Sequence, residues 1–94
     1  MYSYERVLPI GTVVLLKNAS KRLMIIGYQR KRTVDSAEVL DYCGCPYPEG
    51  FVSLDQTAIF NHENIDRIIA MGLQNPQQIQ FSEKLKNFIA EREK

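Results

Sequence analysis

Two apolar segments of strand length, separated by a short polar turn, set the strongest limit on how this chain can fold. Residues 12–16, TVVLL, and residues 22–30, RLMIIGYQR, are rich in leucine and in β-branched side chains, which favour strands. The polar residues 17–21 between them include Asn18, which tolerates the left-handed backbone of a tight turn. The pattern therefore predicts a β-hairpin.

Both segments carry apolar residues at successive positions near their centres, which indicates burial on both faces of the sheet. A chain of 94 residues has room for one domain and one core. We therefore expect a strongly curved antiparallel sheet, either a meander or an SH3-like partial barrel, folded over itself or covered by a helix. Gly27, inside the second segment, predicts a bulge or bend that would help the sheet to curl.

The rest of the chain completes a predicted α+β domain over residues 1–94, with a sheet body over residues 8–73. Residues 38–43 predict a third strand, which would extend the hairpin to a meander. Residues 53–56 have the composition of a short helix start, and residues 65–73 fit either a helix or a strand. The β-branched centre of that last segment favours the strand.

A C-terminal amphipathic helix is predicted over residues 75–92. Asn75 is a good N-cap, Pro76 suits the first helical position, and Gln78 occupies the place of a capping-box residue. Apolar side chains recur at helical spacing at Phe81, Leu85, Phe88 and Ile89. This stripe would either cover the sheet or dock on a partner helix.

Residues 41–50, DYCGCPYPEG, contain both cysteines of the chain. A structural zinc site needs four ligands, and His62 is the chain's only histidine. The C-x-C spacing also lacks the geometry of the C-x-x-C redox motif. We therefore predict no metal and no cofactor here. Gly44, Pro46 and Pro48 instead predict that the third strand ends in a bend, with the cysteines as small buried hydrophobic residues.

Aromatic and apolar side chains are the candidates for binding a protein partner. Tyr42, Tyr47 and Phe51 would form a lip around the rigid prolines of the bend, with large contact area at low entropic cost. The alternative is that each of these rings belongs to the core of a small domain. The candidate partner-binding residues are therefore Tyr42, Tyr47 and Phe51 of the lip and Phe81, Leu85 and Phe88 of the helix.

The charge distribution makes nucleic-acid binding the weaker interpretation, but it stays an alternative. Twelve basic and eleven acidic residues give a net charge of +1, which does not attract nucleic acid or anionic lipid. Basic residues do cluster at the two predicted hairpin tips, within residues 17–22 and 30–32, and a small curved sheet with such tips could bind a single strand. Solvated hairpin tips account for them better, because Asp35 and Glu38 follow the second cluster.

The residue types do not predict an enzyme. His62 lies in a polar turn, residues 61–64, and no spacing pairs it with a cysteine nucleophile. No apolar run approaches the ~20 residues of a membrane-spanning helix, and the N-terminal MYSYERVLPIG lacks the apolar stretch of a signal peptide. We therefore expect a cytoplasmic protein with reduced cysteines and no insertion into the membrane.

Three blocks of the sequence, taken in order, resemble a small domain-of-unknown-function family of Gram-positive bacteria. The blocks are LPIGTVVLLKNASKRLMIIGY, DYCGCPYPEG and FNHENIDRIIAMG, and together they span about residues 8–73. The family pattern requires only the second cysteine, Cys45, which argues further against a function for paired thiols.

Genes of this family typically lie in type VII secretion loci, beside toxins that carry the LXG targeting domain. The resemblance therefore implies a small cytoplasmic accessory protein, a chaperone or targeting adaptor that binds an LXG-domain toxin before export. An immunity protein that neutralises such a toxin is the alternative within the same kind of locus. The resemblance implies no catalytic residues.

Overall fold

A five-stranded antiparallel sheet and one C-terminal helix make up the fold, as seen in a computed structural model that describes residues 7–31 and 33–92. The strands are β1 (Val13–Leu16), β2 (Leu23–Lys31), β3 (Val39–Pro46), β4 (Ala58–Phe60) and β5 (Ile65–Ala70), and the helix α1 spans Pro76–Arg92. The predicted α+β class is confirmed.

The strands lie in the order β4-β3-β2-β1-β5. The predicted meander of β1, β2 and β3 forms the middle of the sheet, and the segment that fitted either helix or strand is the edge strand β5. Because β4 and β5 are the two outer strands and do not pair with each other, the sheet is open and is not closed into a barrel.

Strand β2 is irregular at two points. Its register with β3 shifts between Ile25 and Gly27, so the bulge predicted at the glycine is present. Four residues from Ile25, the backbone of Gln29 has a φ of 54°, which is the left-handed region. Such irregularities bend a strand and change which face its side chains occupy. They explain why β2 does not show the simple alternation of a half-buried strand.

The core lies where β1, β2, β3 and β4 meet the segment that precedes β1. Its fully buried apolar members are Leu8, Val14, Ile25, Tyr42 and Phe60. The ring of Tyr42 lies near the centre, with its centroid 5.5 Å from that of Phe60 and 6.0 Å from that of Tyr28.

Strand β3 continues through the Cys-Gly-Cys segment to Pro46, so the prediction that the strand ends there in a bend is wrong. Gly44 pairs with Ile25 on one side and with Ala58 on the other. A Cβ at this glycine would lie 3.1 Å from the Phe60 ring, so the missing side chain permits close packing within the sheet. The bend comes after the strand, at residues 47–50.

Helix α1 begins as its sequence predicts, because the Asn75 side chain accepts a hydrogen bond of 2.8 Å from the backbone N–H of Gln78. Its contact with the body is centred on Ser82, which is buried and donates a hydrogen bond of 3.2 Å to the carbonyl oxygen of Val7. Among the described residues, no helix is both long enough and apolar enough to cross a bilayer.

The side of α1 that faces the sheet body differs from the predicted apolar stripe. Gln78, Leu85 and Ile89, which share a face with the buried serine, are half-buried, whereas Phe81 and Phe88 are exposed. The two phenylalanines therefore flank the contact surface, and one of them touches the body at its edge, where the Phe81 ring lies 5.8 Å from the ring of Tyr28.

Candidate protein-binding surfaces

Tyr42 belongs to the core and not to the predicted lip. It is 1% exposed. Its hydroxyl accepts a hydrogen bond of 3.1 Å from the backbone N–H of Leu8 and lies 2.8 Å from Nδ1 of His62, with which it shares a second hydrogen bond. A large ring at the middle of a central strand completes the core of a small domain. Of the three predicted lip residues, Tyr47 and Phe51 are exposed.

His62 fastens the turn at residues 61–64 to β3. Its backbone N–H donates to a carboxylate oxygen of Asp41 at 2.8 Å, and the backbone N–H of Asp41 donates to the side-chain oxygen of Asn61 at 3.1 Å. The backbone N–H of Asn61 in turn donates to the side-chain oxygen of Asn64 at 2.9 Å. The asparagine and aspartate side chains thus position this turn, and the imidazole of His62 adds its contact with the hydroxyl of Tyr42.

The two cysteines occupy different environments along β3. Cys45 is fully buried, and Cys43 is half-buried. Burial raises the pKa of the Cys43 thiol. The nearby positive charge of Arg30 lowers it, but by less than burial raises it. The thiol therefore stays protonated at neutral pH. Within residues 7–31 and 33–92, no group of three or more histidine, cysteine, aspartate or glutamate side chains is arranged to hold a metal ion.

The loop after β3 carries several exposed apolar side chains within a short stretch. Because Tyr42 is buried, from here on the lip means residues 47–54 only. Phe51 is 59% exposed and Leu54 is 75% exposed. The exposed large apolar residues of the lip are Tyr47, Phe51, Val52 and Leu54. Exposed apolar side chains are common singly, but several within one short loop mark an interaction surface.

Backbone hydrogen bonds hold the lip at both ends. At the start, the N–H of Tyr47 donates to the carbonyl of Arg22 at 3.0 Å, and the N–H of Gly50 donates to the carbonyl of Pro46 at 2.7 Å. At the end, a 3-10 turn spans Leu54–Gln56. The apolar side chains therefore project from a loop that is fixed to β3 and to Arg22, the residue before β2, which lowers the entropy that a partner must remove on binding.

An ion pair joins the lip to the tip of the β1–β2 hairpin. Lys21 Nζ lies 2.7 Å and 2.9 Å from the two carboxylate oxygens of Glu49. This hydrogen bond lowers the pKa of the Glu49 carboxyl below its ordinary value. Because the lysine is paired, the first of the two basic clusters has less positive charge to offer a nucleic acid.

The lip residues Val52 and Leu54 were not among the sequence candidates. Leu54 lies in the segment 53–56 that was predicted to start a short helix, and a 3-10 helix does span Leu54–Gln56. The sequence signal that could have identified them is the dense apolar run Phe51-Val52-Ser53-Leu54 directly after a proline-rich turn. Exposure is a tertiary property, and the run alone fits a buried segment equally well.

The comparisons with known proteins agree with the resemblance seen in the sequence blocks. Residues 7–81 match the family model of a domain of unknown function, DUF4176. The match covers the five strands, the lip and the first part of α1. No curated protein and no solved structure matches the sequence. The chain therefore belongs to the DUF4176 family of domains of unknown function.

Proposed function

We propose that this protein is a non-enzymatic chaperone or targeting adaptor, which acts in the cytoplasm and binds an LXG-domain toxin before type VII secretion. The observation that carries the proposal is the lip, a short fixed loop with several large apolar side chains in water. Covering these side chains with a protein partner would remove apolar surface from water, which is the main favourable term in association. The resemblance to proteins from secretion loci supplies the identity of the partner.

The lip has the composition of a binding hot spot. Tyrosine and phenylalanine bring large contact areas with few rotatable bonds, and the neighbouring valine and leucine extend the apolar area. Each large side chain that becomes fully buried contributes roughly 1.5–3 kcal/mol. A chaperone needs such a surface, because it must cover an apolar segment of the toxin until export.

The environments of His62 and Cys43 support a binding role. His62 positions the turn beside β3 and contacts the hydroxyl of Tyr42. The Cys43 thiol has a raised pKa, so it is a poor nucleophile at neutral pH.

Co-expression with the LXG toxin of the same locus tests the proposal. We would co-express the protein with the whole toxin, with its LXG domain and with its C-terminal toxic domain, and then separate each mixture by size-exclusion chromatography. Co-elution with the LXG domain is the result that the proposal predicts. Co-elution with the toxic domain, together with protection of an intoxicated cell, would indicate the immunity alternative. Elution of the protein alone from every mixture would refute both.

Two variants locate the contact. The double variant Phe51→Ser/Leu54→Ser removes the two most exposed large apolar side chains of the lip and should abolish co-elution. The matched control is Leu73→Ser, which changes a side chain of similar exposure outside the lip, at 74%. Loss of co-elution in the control as well would mean that the lip is not specifically involved.

A further inference from the structure

A second surface lies between the connection from β2 to β3 and helix α1, and it shares no residue with the lip. It is an open groove with a volume of about 1090 Å³, which we call the helix groove. The residues that matter for its chemistry are Gln29, Arg30, Lys31, Val34, Val39 and Phe88.

The apolar part of the helix groove is exposed. Val34, in the connection, is 92% exposed, and Phe88, on the helix, is 57% exposed. Val39 is half-buried at the start of β3. Apolar side chains therefore approach the groove from both the sheet side and the helix side. A segment that lay in the groove would cover apolar surface on each side.

The charged part of the helix groove is positive. Arg30 and Lys31 line it, and none of the described residues that line it is a carboxylate. The ion pairs among the described residues, Lys21–Glu49 and Arg67–Asp66, involve neither of these cations. The acidic residues of the same connection do not line the groove. The groove is therefore complementary to a segment that carries negative charge beside apolar side chains.

Gln29, in the wall of the same groove, has a strained backbone and a side-chain amide that lacks hydrogen-bond partners. Its φ of 54° is unusual for a residue other than glycine, asparagine or aspartate, so the backbone is strained there. Its amide atoms Nε2 and Oε1 are buried without a hydrogen-bond partner in the described part of the protein. Two such penalties on one residue are characteristic of functional sites. A side-chain amide that rotates into the groove can donate to and accept from one peptide group of a bound chain.

We propose that the helix groove binds an acidic, apolar segment of a protein partner. The apolar side chains of that segment lie against Val34 and Phe88, and its carboxylates face Arg30 and Lys31. This inference goes beyond the proposed function, because it concerns a different surface and holds whether or not the partner is an LXG toxin.

Nuclear magnetic resonance titration of the full-length ¹⁵N-labelled protein tests the inference with two defined probes. One is a synthetic amphipathic peptide of leucine and glutamate, and the other has the same pattern with lysine in place of glutamate. The acidic peptide should shift the backbone amide signals of the groove residues saturably, whereas the basic peptide should leave them unchanged. Equal shifts with both peptides, or no shift in the groove, would overturn the proposal.

Variants give the second arm of the test. Arg30→Glu/Lys31→Glu should weaken binding of the acidic peptide by about ten-fold or more. The matched control Lys17→Glu/Arg22→Glu reverses two exposed charges at the other hairpin and should change binding by less than about two-fold. Val34→Asp places a negative charge in the groove at an almost fully exposed position, so the variant should fold normally.

The negative charge of Val34→Asp should weaken binding of the acidic peptide, and unchanged binding would contradict the proposal.

The same nuclear magnetic resonance experiment would detect other occupants of the groove. Signals that move with protein concentration in the absence of peptide would mean that a second copy of the chain occupies the groove. Shifts caused by a single-stranded oligonucleotide that vanish with added salt would assign the groove to nucleic acid. Because each surface has its own variants, toxin binding measured with both sets shows whether the toxin uses the groove, the lip or neither. This result separates the inference from the proposed function.

Discussion

At the residue scale, Tyr42 shows how a single side chain can hold several segments together. Its ring lies in the core, and its hydroxyl joins the backbone of Leu8 to the imidazole of His62. The hydroxyl thus connects the segment before β1 with the turn before β5. The loss of this one oxygen would leave a buried N–H without its acceptor.

We expect Tyr42→Phe to lower the free energy of unfolding by about 1–3 kcal/mol, because the buried Leu8 N–H loses its partner while the ring stays in place. Urea denaturation followed by circular dichroism measures this change. The control Tyr47→Phe removes an exposed hydroxyl and should stay within about 0.5 kcal/mol of the wild type. An unchanged urea midpoint for Tyr42→Phe would show that the hydroxyl is not needed for stability.

Gln29→Gly should stabilise the protein by about 1 kcal/mol. Glycine adopts the left-handed backbone without strain, and the change removes a buried amide that has no partner; part of this gain is offset by the greater freedom of glycine in the unfolded chain. Thermal unfolding provides the measurement. Asn18→Gly is the control, because Asn18 also has a positive φ, of 62°, in a turn where asparagine is tolerated. A destabilised Gln29→Gly variant would mean that the glutamine makes a favourable contribution.

The thiols should react slowly in the folded protein. The pKa of the Cys43 thiol is raised by burial, and only the thiolate attacks iodoacetamide. Mass spectrometry at neutral pH should show alkylation that is about ten-fold or more slower in the native state than in urea. The rate should rise with pH, since a raised pKa moves the appearance of thiolate to higher pH. Rapid alkylation of the native protein at neutral pH would contradict the burial of both thiols.

At the element scale, the junction between β5 and α1 depends on a close approach of two backbones. Gly72 donates its N–H to the hydroxyl of Thr12 at 3.0 Å. A Cβ at this glycine would overlap the carbonyl oxygen of Ile10. The path of the chain from the edge strand to the helix therefore requires a residue without a side chain here.

Gly72→Ala should destabilise the protein by roughly 1–3 kcal/mol, the range that forced overpacking typically costs. Differential scanning calorimetry would report the shift in Tm. Gly27→Ala is the matched control, because a Cβ there would meet the Cys43 side chain at 3.8 Å, an ordinary contact. If the two variants unfolded at the same temperature, the tight junction would not exist in solution.

Local chemistry was enough to predict some elements and not others. The first hairpin and the start of α1 follow from nearby residues, namely Asn18 in the turn and Asn75 as the N-cap. The extent of β3 could not be predicted, because glycine and proline usually end a strand, and Gly44 is needed for the packing of Phe60 from another strand. The contact side of α1 depends on a serine that bonds to Val7, which no apolar pattern indicates.

At the scale of the whole molecule, the lip and the helix groove are two separate surfaces that carry exposed apolar side chains. Tyr47 and Phe51 could be identified from the sequence because prolines fix the loop that carries them. Val34 could not, since an isolated valine in a polar connection gives no signal until the helix is seen beside it. Two separate surfaces would allow an adaptor to hold two segments at once, with a gain in affinity that depends on their spacing.

The most direct test is the affinity of the purified protein for the LXG toxin that we propose as its partner, measured by isothermal titration calorimetry with the wild type and with Phe51→Ser/Leu54→Ser. We expect the wild type to bind and the lip variant to lose about 100-fold or more in affinity, as is typical of two hot-spot side chains. Leu73→Ser should bind within about three-fold of the wild type. Equal affinities for the lip variant and the wild type would contradict the central role of the lip, and a wild type that does not bind would contradict the proposed function itself.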